Sequence, residues 1–194
     1  NPEFTTWSAL PLGATATFRN RRVMERSRSE IIERRTVTLV GKSDDLIRLR
    51  LSIEYEEGSL FYDPNDRPRE EVISLPRLTA EGEELASTGL IYPQPIRIGQ
   101  THHNESLREV GEKTVMVEGV PIQCSIKEYN RADGYAIIRA CYDDGVPGRL
   151  VSLTDYVEGT MRREVELQSF DTSPPAGTQK NELDGGEAQP DSEE

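Results

Sequence analysis

The longest regular pattern in the chain has a period of two. From Leu46 to Glu56, the apolar residues Ile47, Leu49, Leu51, Ile53 and Tyr55 alternate with Arg48, Arg50, Ser52, Glu54 and Glu56. A helix would scatter these five side chains around its circumference, whereas a strand sets them on one face. At about 3.3 Å per residue, such a strand is about 35 Å long and predicts a large, curved sheet. Ala14, Ala16 and Phe18 mark an earlier strand, Thr36–Val40 another, and Gly41–Asp45 the turn into the long one. Further along, alternation returns in Thr114–Glu118, Ile122–Tyr129, Tyr135–Tyr142, Leu150–Val157 and Met161–Phe170. Gly119, Gly134 and Gly159 stand at the connections, where short hairpin loops need positive φ.

Residues 57–111 break this rhythm. They hold Pro64, Pro68, Pro76, Pro93 and Pro95 and show no sustained alternation. The segment reads as a long irregular excursion with short strands, a helical turn over Leu78–Ala86, and an extended apolar stretch. In that stretch Ile91, Tyr92 and Ile96 are suited to lining a groove or covering a sheet edge. Trp7, the single tryptophan, is expected to pack over one end of the core. The predicted organisation is a lead-in over 1–12, one β domain over 13–170 and a tail over 171–194. The predicted fold class is all-β: one large curved antiparallel sheet, or a partly open barrel, of about eight strands with a long irregular insertion.

Charge refines this picture. The 194 residues carry 35 acids against 23 Lys and Arg, a net charge of −12. From Asp171 onward there are seven acids and one base, so the tail contributes −6 and the body the other −6. With Leu183 as its only large apolar residue, the tail cannot offset the entropy of ordering and is expected to be a disordered, solubilising acidic arm. An acidic chain is a poor nucleic-acid binder. No apolar run approaches the roughly 20 residues of a membrane-spanning helix. Arg19, Arg21, Arg22, Arg26 and Arg28 form the densest basic cluster, but Glu25 and Glu30 interrupt it, which suggests a salt-bridged hairpin end. The chain opens Asn1-Pro2-Glu3-Phe4, with no charged n-region followed by an apolar stretch; a mature exported chain would begin in this way, as would a cytosolic one that never carried a signal, and these first residues carry no functional expectation.

Catalytic patterns are sparse. His102 and His103 are adjacent, and on a strand they would point to opposite faces, so they share one metal only from a loop. Neither H-E-x-x-H nor C-x-x-C is present, and there is no G-x-S-x-G, phosphate-cradling loop or dinucleotide fingerprint. Glu56-Glu57, Glu70-Glu71, Glu83-Glu84 and Asp143-Asp144 read as solvated pairs. No cofactor and no metal is expected.

The two cysteines carry the sharpest expectation. If residues 131–134 form the loop of a hairpin, 130 pairs with 135 and Cys124 lies directly across from Cys141 on the same face. Opposed Cα atoms in an antiparallel pair are about 4.5 to 5.5 Å apart, within the range a disulfide needs. A loop one residue longer or shorter would put the two on opposite faces. A disulfide in turn implies an oxidising compartment.

The C-terminal half reads Val117-Glu118-Gly119-Val120-Pro121-Ile122-Gln123-Cys124, then Cys141-Tyr142-Asp143-Asp144-Gly145-Val146-Pro147-Gly148, then Glu166-Leu167-Gln168-Ser169-Phe170. With Trp7 and Leu12-Gly13, these motifs resemble a group of exported, functionally uncharacterised β-sheet proteins of planctomycete-type bacteria, over residues 7–20 and 114–170. That group commonly has Trp where this chain has Cys141. The resemblance implies export and a curved sheet similar to lipoprotein-carrier half-barrels, and no activity.

The leading functional expectation is a non-enzymatic exported interaction or accessory subunit, periplasmic or extracellular, that docks a protein partner through its sheet or its irregular segment. The alternative is a periplasmic carrier of a lipid or other apolar small molecule. Its concave face would be lined by Ile47, Leu49, Leu51, Ile53, Val115 and Val117. A third reading is a hydrolase or metal-dependent enzyme centred on His102 and His103.

Overall fold

The computed structural model describes residues 2–25, 27–77, 84–87, 96–98, 106–130 and 136–173. A short helix, α1 (Pro2–Ser8), precedes the strands β1 (Thr15–Val23), β2 (Glu30–Lys42), β3 (Leu46–Tyr55) and β4 (Arg69–Pro76). Then come β5 (Glu84–Ser87) and β6 (Ile96–Ile98), followed by β7 (Ser106–Val117), β8 (Val120–Asn130), β9 (Ala136–Tyr142), β10 (Leu150–Val157) and β11 (Thr160–Asp171). Nine of these strands form one antiparallel sheet in the order β4-β3-β2-β1-β11-β10-β9-β8-β7; β5 and β6 pair separately. The sheet is therefore two meanders joined where β1 meets β11. Residues distant in sequence pair there, with Thr15 opposite Asp171 and Arg22 opposite Arg163.

The sheet is open but strongly curled. β7 touches β11, four positions away in the strand order. Four inter-strand spacings would put them about 19 Å apart in a flat sheet. Bulges help to bend it: β1 slips against β11 between Thr17 and Phe18, β2 against β3 between Leu39 and Gly41, and β10 against β9 between Leu150 and Ser152.

The expected all-β fold is present, and the long strand runs as its alternation requires. Several elements are longer than their patterns suggested. β2 starts at Glu30 rather than Thr36, because Glu33 and Arg35 occupy inward positions that an apolar pattern would not assign. The excursion expected over 57–111 contains a regular eight-residue strand: β4 pairs with β3 from Leu46–Pro76 to Ile53–Arg69. Pro76 is tolerated there because it sits at the end of an edge strand. Part of the helical turn expected over Leu78–Ala86 is strand, since Glu84–Ser87 is β5; residues 78–83 lie outside the described residues. The tail beyond residue 173 also lies outside them.

One end of the curled sheet is plugged by α1. Trp7 is 1% exposed and Phe4 is also buried, and both belong to a core with Ala16, Phe18, Val37, Leu39 and Leu153. Lys42 ties the helix down by donating to the carbonyls of Leu10 (2.8 Å) and Ser8 (3.4 Å). The turn before β10 closes over Trp7. At Gly148, φ is +73° and an added Cβ would lie 3.0 Å from the indole Nε1, so a side chain there would be strained twice over.

Candidate functional site

Three features stand out from an otherwise ordinary β core: a polar end of the concave face, a disulfide, and a buried carboxylate beside an edge strand.

The polar end follows from a change along the inward rows. From the plugged end, β1 places Ala16, Phe18 and Asn20 inward, β2 Leu39, Val37, Arg35 and Glu33, and β11 Leu167, Val165 and Arg163. The strand registers put Val165, Asn20, Glu33 and Tyr55 in one cross-strand row. Asn20 is 2% exposed and donates from Nδ2 to Glu33 Oε1 at 2.7 Å, and the same oxygen accepts from Arg35 Nε at 2.6 Å. Such buried polar groups are costly unless satisfied, so they hold one another in fixed positions. The basic cluster of the β1–β2 hairpin lies at this end as the expected salt-bridged tip: Arg21 pairs with Glu30 and Arg19 with Glu56.

The disulfide between Cys124 and Cys141 is present, with Cα atoms 5.5 Å apart. Its register differs from the expected one. Cys141 lies opposite Ile126, and Asn130 opposite Ile137 rather than residue 135. The connection is two residues longer than a 131–134 loop, and a shift of two preserves the face that a shift of one would reverse. The cysteines are thus diagonal neighbours rather than directly opposed. Both are buried.

The third feature crosses β7, β8 and β9, where Arg108, Glu128 and Arg139 are consecutive cross-strand partners. Glu128 is 4% exposed and accepts from Arg108 Nη2, Arg139 Nε and Asn130 Nδ2. Hydrogen bonds from Arg108, then Arg139 and Asn130, hold its carboxyl well below the usual range, at about 2, against the opposing effect of burial. Arg108 itself lies on β7, the last strand of the described sheet: β8 pairs with one side and no described strand pairs with the other. Val110 and Met116 are exposed along β7, and a bulge falls between Glu109 and Gly111. Nearby, burial pushes the Tyr142 phenol well up, and the Arg149 guanidinium lies 5.9 Å from that ring's centroid.

The residues expected to form a ligand or partner face are divided. Ile47, Leu49 and Leu51 are 0–1% exposed, so protein atoms surround them and they form core rather than an open face. Alternation cannot distinguish an apolar face open to a ligand from one covered by the sheet's own curl. Ile53 packs partly buried against that core. Ile96 begins β6, while Ile91, Tyr92, His102 and His103 lie outside the described residues. Among the described residues, no group of three or more His, Cys, Asp or Glu could hold a metal ion, and no helix is long and apolar enough to cross a membrane.

Sequence reasoning missed Asn20, Glu33, Arg35, Arg163 and Glu128. The signal was present: the first four occupy the apolar phase of their strands, where a polar residue needs a buried partner.

No family model and no curated protein sequence matches the chain. Among solved structures, it is similar to a chain in the complex structure of Pseudomonas aeruginosa MucA/MucB, at 16% identity and a TM-score of 0.52. The alignment covers 90% of this chain and 57% of that one, so this chain spans little more than half the other's length. At this identity the likeness is one of fold.

Proposed function

We propose that the protein is an exported, non-enzymatic interaction subunit that docks a protein partner along the free side of β7. One observation carries the reading: the sheet is open and ends in a 12-residue strand with an unpaired side among the described residues. Unpaired strand N–H and C=O groups are a template for another strand, and folds commonly shorten, cover or charge such edges. The opposite edge, β4, is shorter, starts Arg69-Glu70-Glu71 and ends in Pro76. β7 exposes Val110 and Met116 beside its own charged residues Arg108, Glu109, Glu112 and Lys113, and the bulge at Val110 limits indiscriminate pairing. The structural neighbour comes from a complex of two named proteins, which agrees with a partner-binding role. The disulfide supports export, because such bonds persist in oxidising compartments.

The test uses photo-crosslinking residues in place of Met116 on β7 and Val72 on β4, in cells of the source. The expected result is one identified protein cross-linked from position 116 and not from 72, with a one-to-one complex reconstituted from the purified pair. Absence of a product from 116, or equal products from both edges, overturns the reading.

A further inference from the structure

We propose that the free side of β7 selects an extended partner segment whose charges alternate, with acids toward the face of Cys124 and bases toward the face of Ser125. This rests on docking along β7 and adds which kind of segment docks there.

The bulge in β7 sorts its charges by face. Cross-strand partners share a face, and faces alternate along a strand. Arg108 stands opposite Glu128 and Lys113 opposite Cys124, both on the face of Ile126. Glu109 stands opposite Lys127 and Glu112 opposite Ser125, both on the other face. Residues an odd number of positions apart in a regular strand point to opposite faces. Arg108 and Lys113 agree only because Val110 is the extra residue between them. In an unbulged strand Arg108 would share its face with Glu112, and each face would carry both signs.

These charges are open to a partner. Glu109 accepts from the Ser125 hydroxyl (2.7 Å) and Glu112 from the Gln123 amide (2.5 Å), both neutral donors. Glu109, Glu112 and Lys113 are exposed, and no ion pair joins any of them among the described residues. Arg108 is 61% exposed and shares the one carboxylate of Glu128 with Arg139, so that cluster keeps a surplus positive charge. One face of the edge is therefore basic. The other is acidic, and Lys127 opposite Glu109 only partly offsets it. A second copy of the chain is a poor occupant: a two-fold axis would lay each face of β7 against itself, acid beside acid and base beside base. A segment with the reverse pattern meets attraction on both faces. Running antiparallel, as the strands of the sheet do, it would lay an uncharged stretch along residues 114–117 and alternating acid and base along 108–113.

The full chain is titrated by NMR and calorimetry at about 0.15 M salt, where screening confines charge effects to about 8 Å. The probes are acetyl-Val-Thr-Val-Thr-Glu-Lys-Thr-Lys-Glu-amide and two versions in which every charged position is Lys or every one is Glu. A uniform peptide meets a like-charged face in any register, so slippage cannot rescue it. The alternating peptide is expected to bind about fivefold tighter than either uniform one, with shifts centred on residues 106–117. The net charge of −12 acting alone would instead favour the all-Lys peptide. Lys113→Glu, at an exposed position where folding is not at stake, is expected to erase the advantage of the alternating peptide over the all-Lys one. A preference for the all-Lys peptide, equal binding of all three, no shift at residues 106–117, or an advantage untouched by Lys113→Glu overturns the proposal. Self-association of the chain that shifts the same residues also overturns it. Docking along β7 is decided separately: a partner cross-linked from Met116 leaves that reading standing whatever the peptides do.

Discussion

The two ends of the concave face are built on the same strands and behave as opposites. At the plugged end, Trp7, Phe4, Leu39 and Ala16 are buried in apolar contact and α1 closes the curl. At the other end, Asn20, Glu33, Arg35 and Arg163 occupy the same inward phase, beside the aromatic loop at Phe61. The alternation is unbroken from one end to the other; only the chemistry of the inward residue changes. Strand periodicity thus fixes where a side chain points, and the residue at that point decides whether the space becomes core or cavity.

Breaking the apolar end should have the largest effect. Trp7→Ala is expected to destabilise the protein by about 3–5 kcal/mol, read as a lower urea midpoint, since it removes a fully buried indole over a turn that closes too tightly to collapse inward. Next comes the disulfide. A cysteine separation of 17 residues gives up to about 3 kcal/mol by loop-closure entropy, so the Cys124→Ser/Cys141→Ser variant should unfold earlier, and reductant should shift only the native chain.

The polar end is sharpened by a paired experiment. Glu33→Gln should cost about 2 kcal/mol, because it removes the charge that the buried Asn20 amide and the part-buried Arg35 guanidinium share. By contrast, Asn20→Leu/Glu33→Leu/Arg35→Met together should be near neutral or stabilising by about 1 kcal/mol, as packed apolar groups commonly replace buried ion pairs without loss. If the triple variant instead falls as far as Trp7→Ala, the two ends are alike in what holds them.

Among the single substitutions Glu128→Gln should give the smallest loss, about 1 kcal/mol at pH 7, because its arginine partners are more than half exposed and screened by solvent. Its pH dependence has a definite sign. The folded carboxyl titrates at about 2, below its unfolded value, so its contribution is complete above about pH 4.5 and is lost as pH falls through about 2. Urea midpoints of native and variant chains should therefore run parallel from pH 8 to pH 5 and converge below about 4.5.

How much of this was legible in the sequence depends on the element. β3 was plain, because its inward positions from Ile47 to Ile53 are apolar and its outward ones polar. The cysteine pair was legible as a bond but not as a register, since a hairpin loop's length is set by backbone conformation and a shift of two leaves the face unchanged. β4 was hidden by the prolines around it. The polar cavity was hidden for a subtler reason: pattern reading scores Asn20, Glu33 and Arg163 as departures from a strand, whereas in the folded chain they are strand positions facing a shared neighbour. Ile47, Leu49 and Leu51 show the reverse error, an apolar face that reads as a docking surface and is occupied by the protein itself.

The joint between the two meanders has a consequence for the chain's wiring. Thr15 and Asp171 are paired neighbours in the middle of the sheet, so a linker that retains α1 could join β11 to β1. A circular permutant that joins β11 to β1 and opens the chain between β4 and β7 would visit the nine strands in the order in which they lie side by side. Every pairing in it would then be local. Loop-closure entropy delays distant pairings most, so that rearranged chain should cross its folding barrier faster than the natural order, although the finished sheet would be the same.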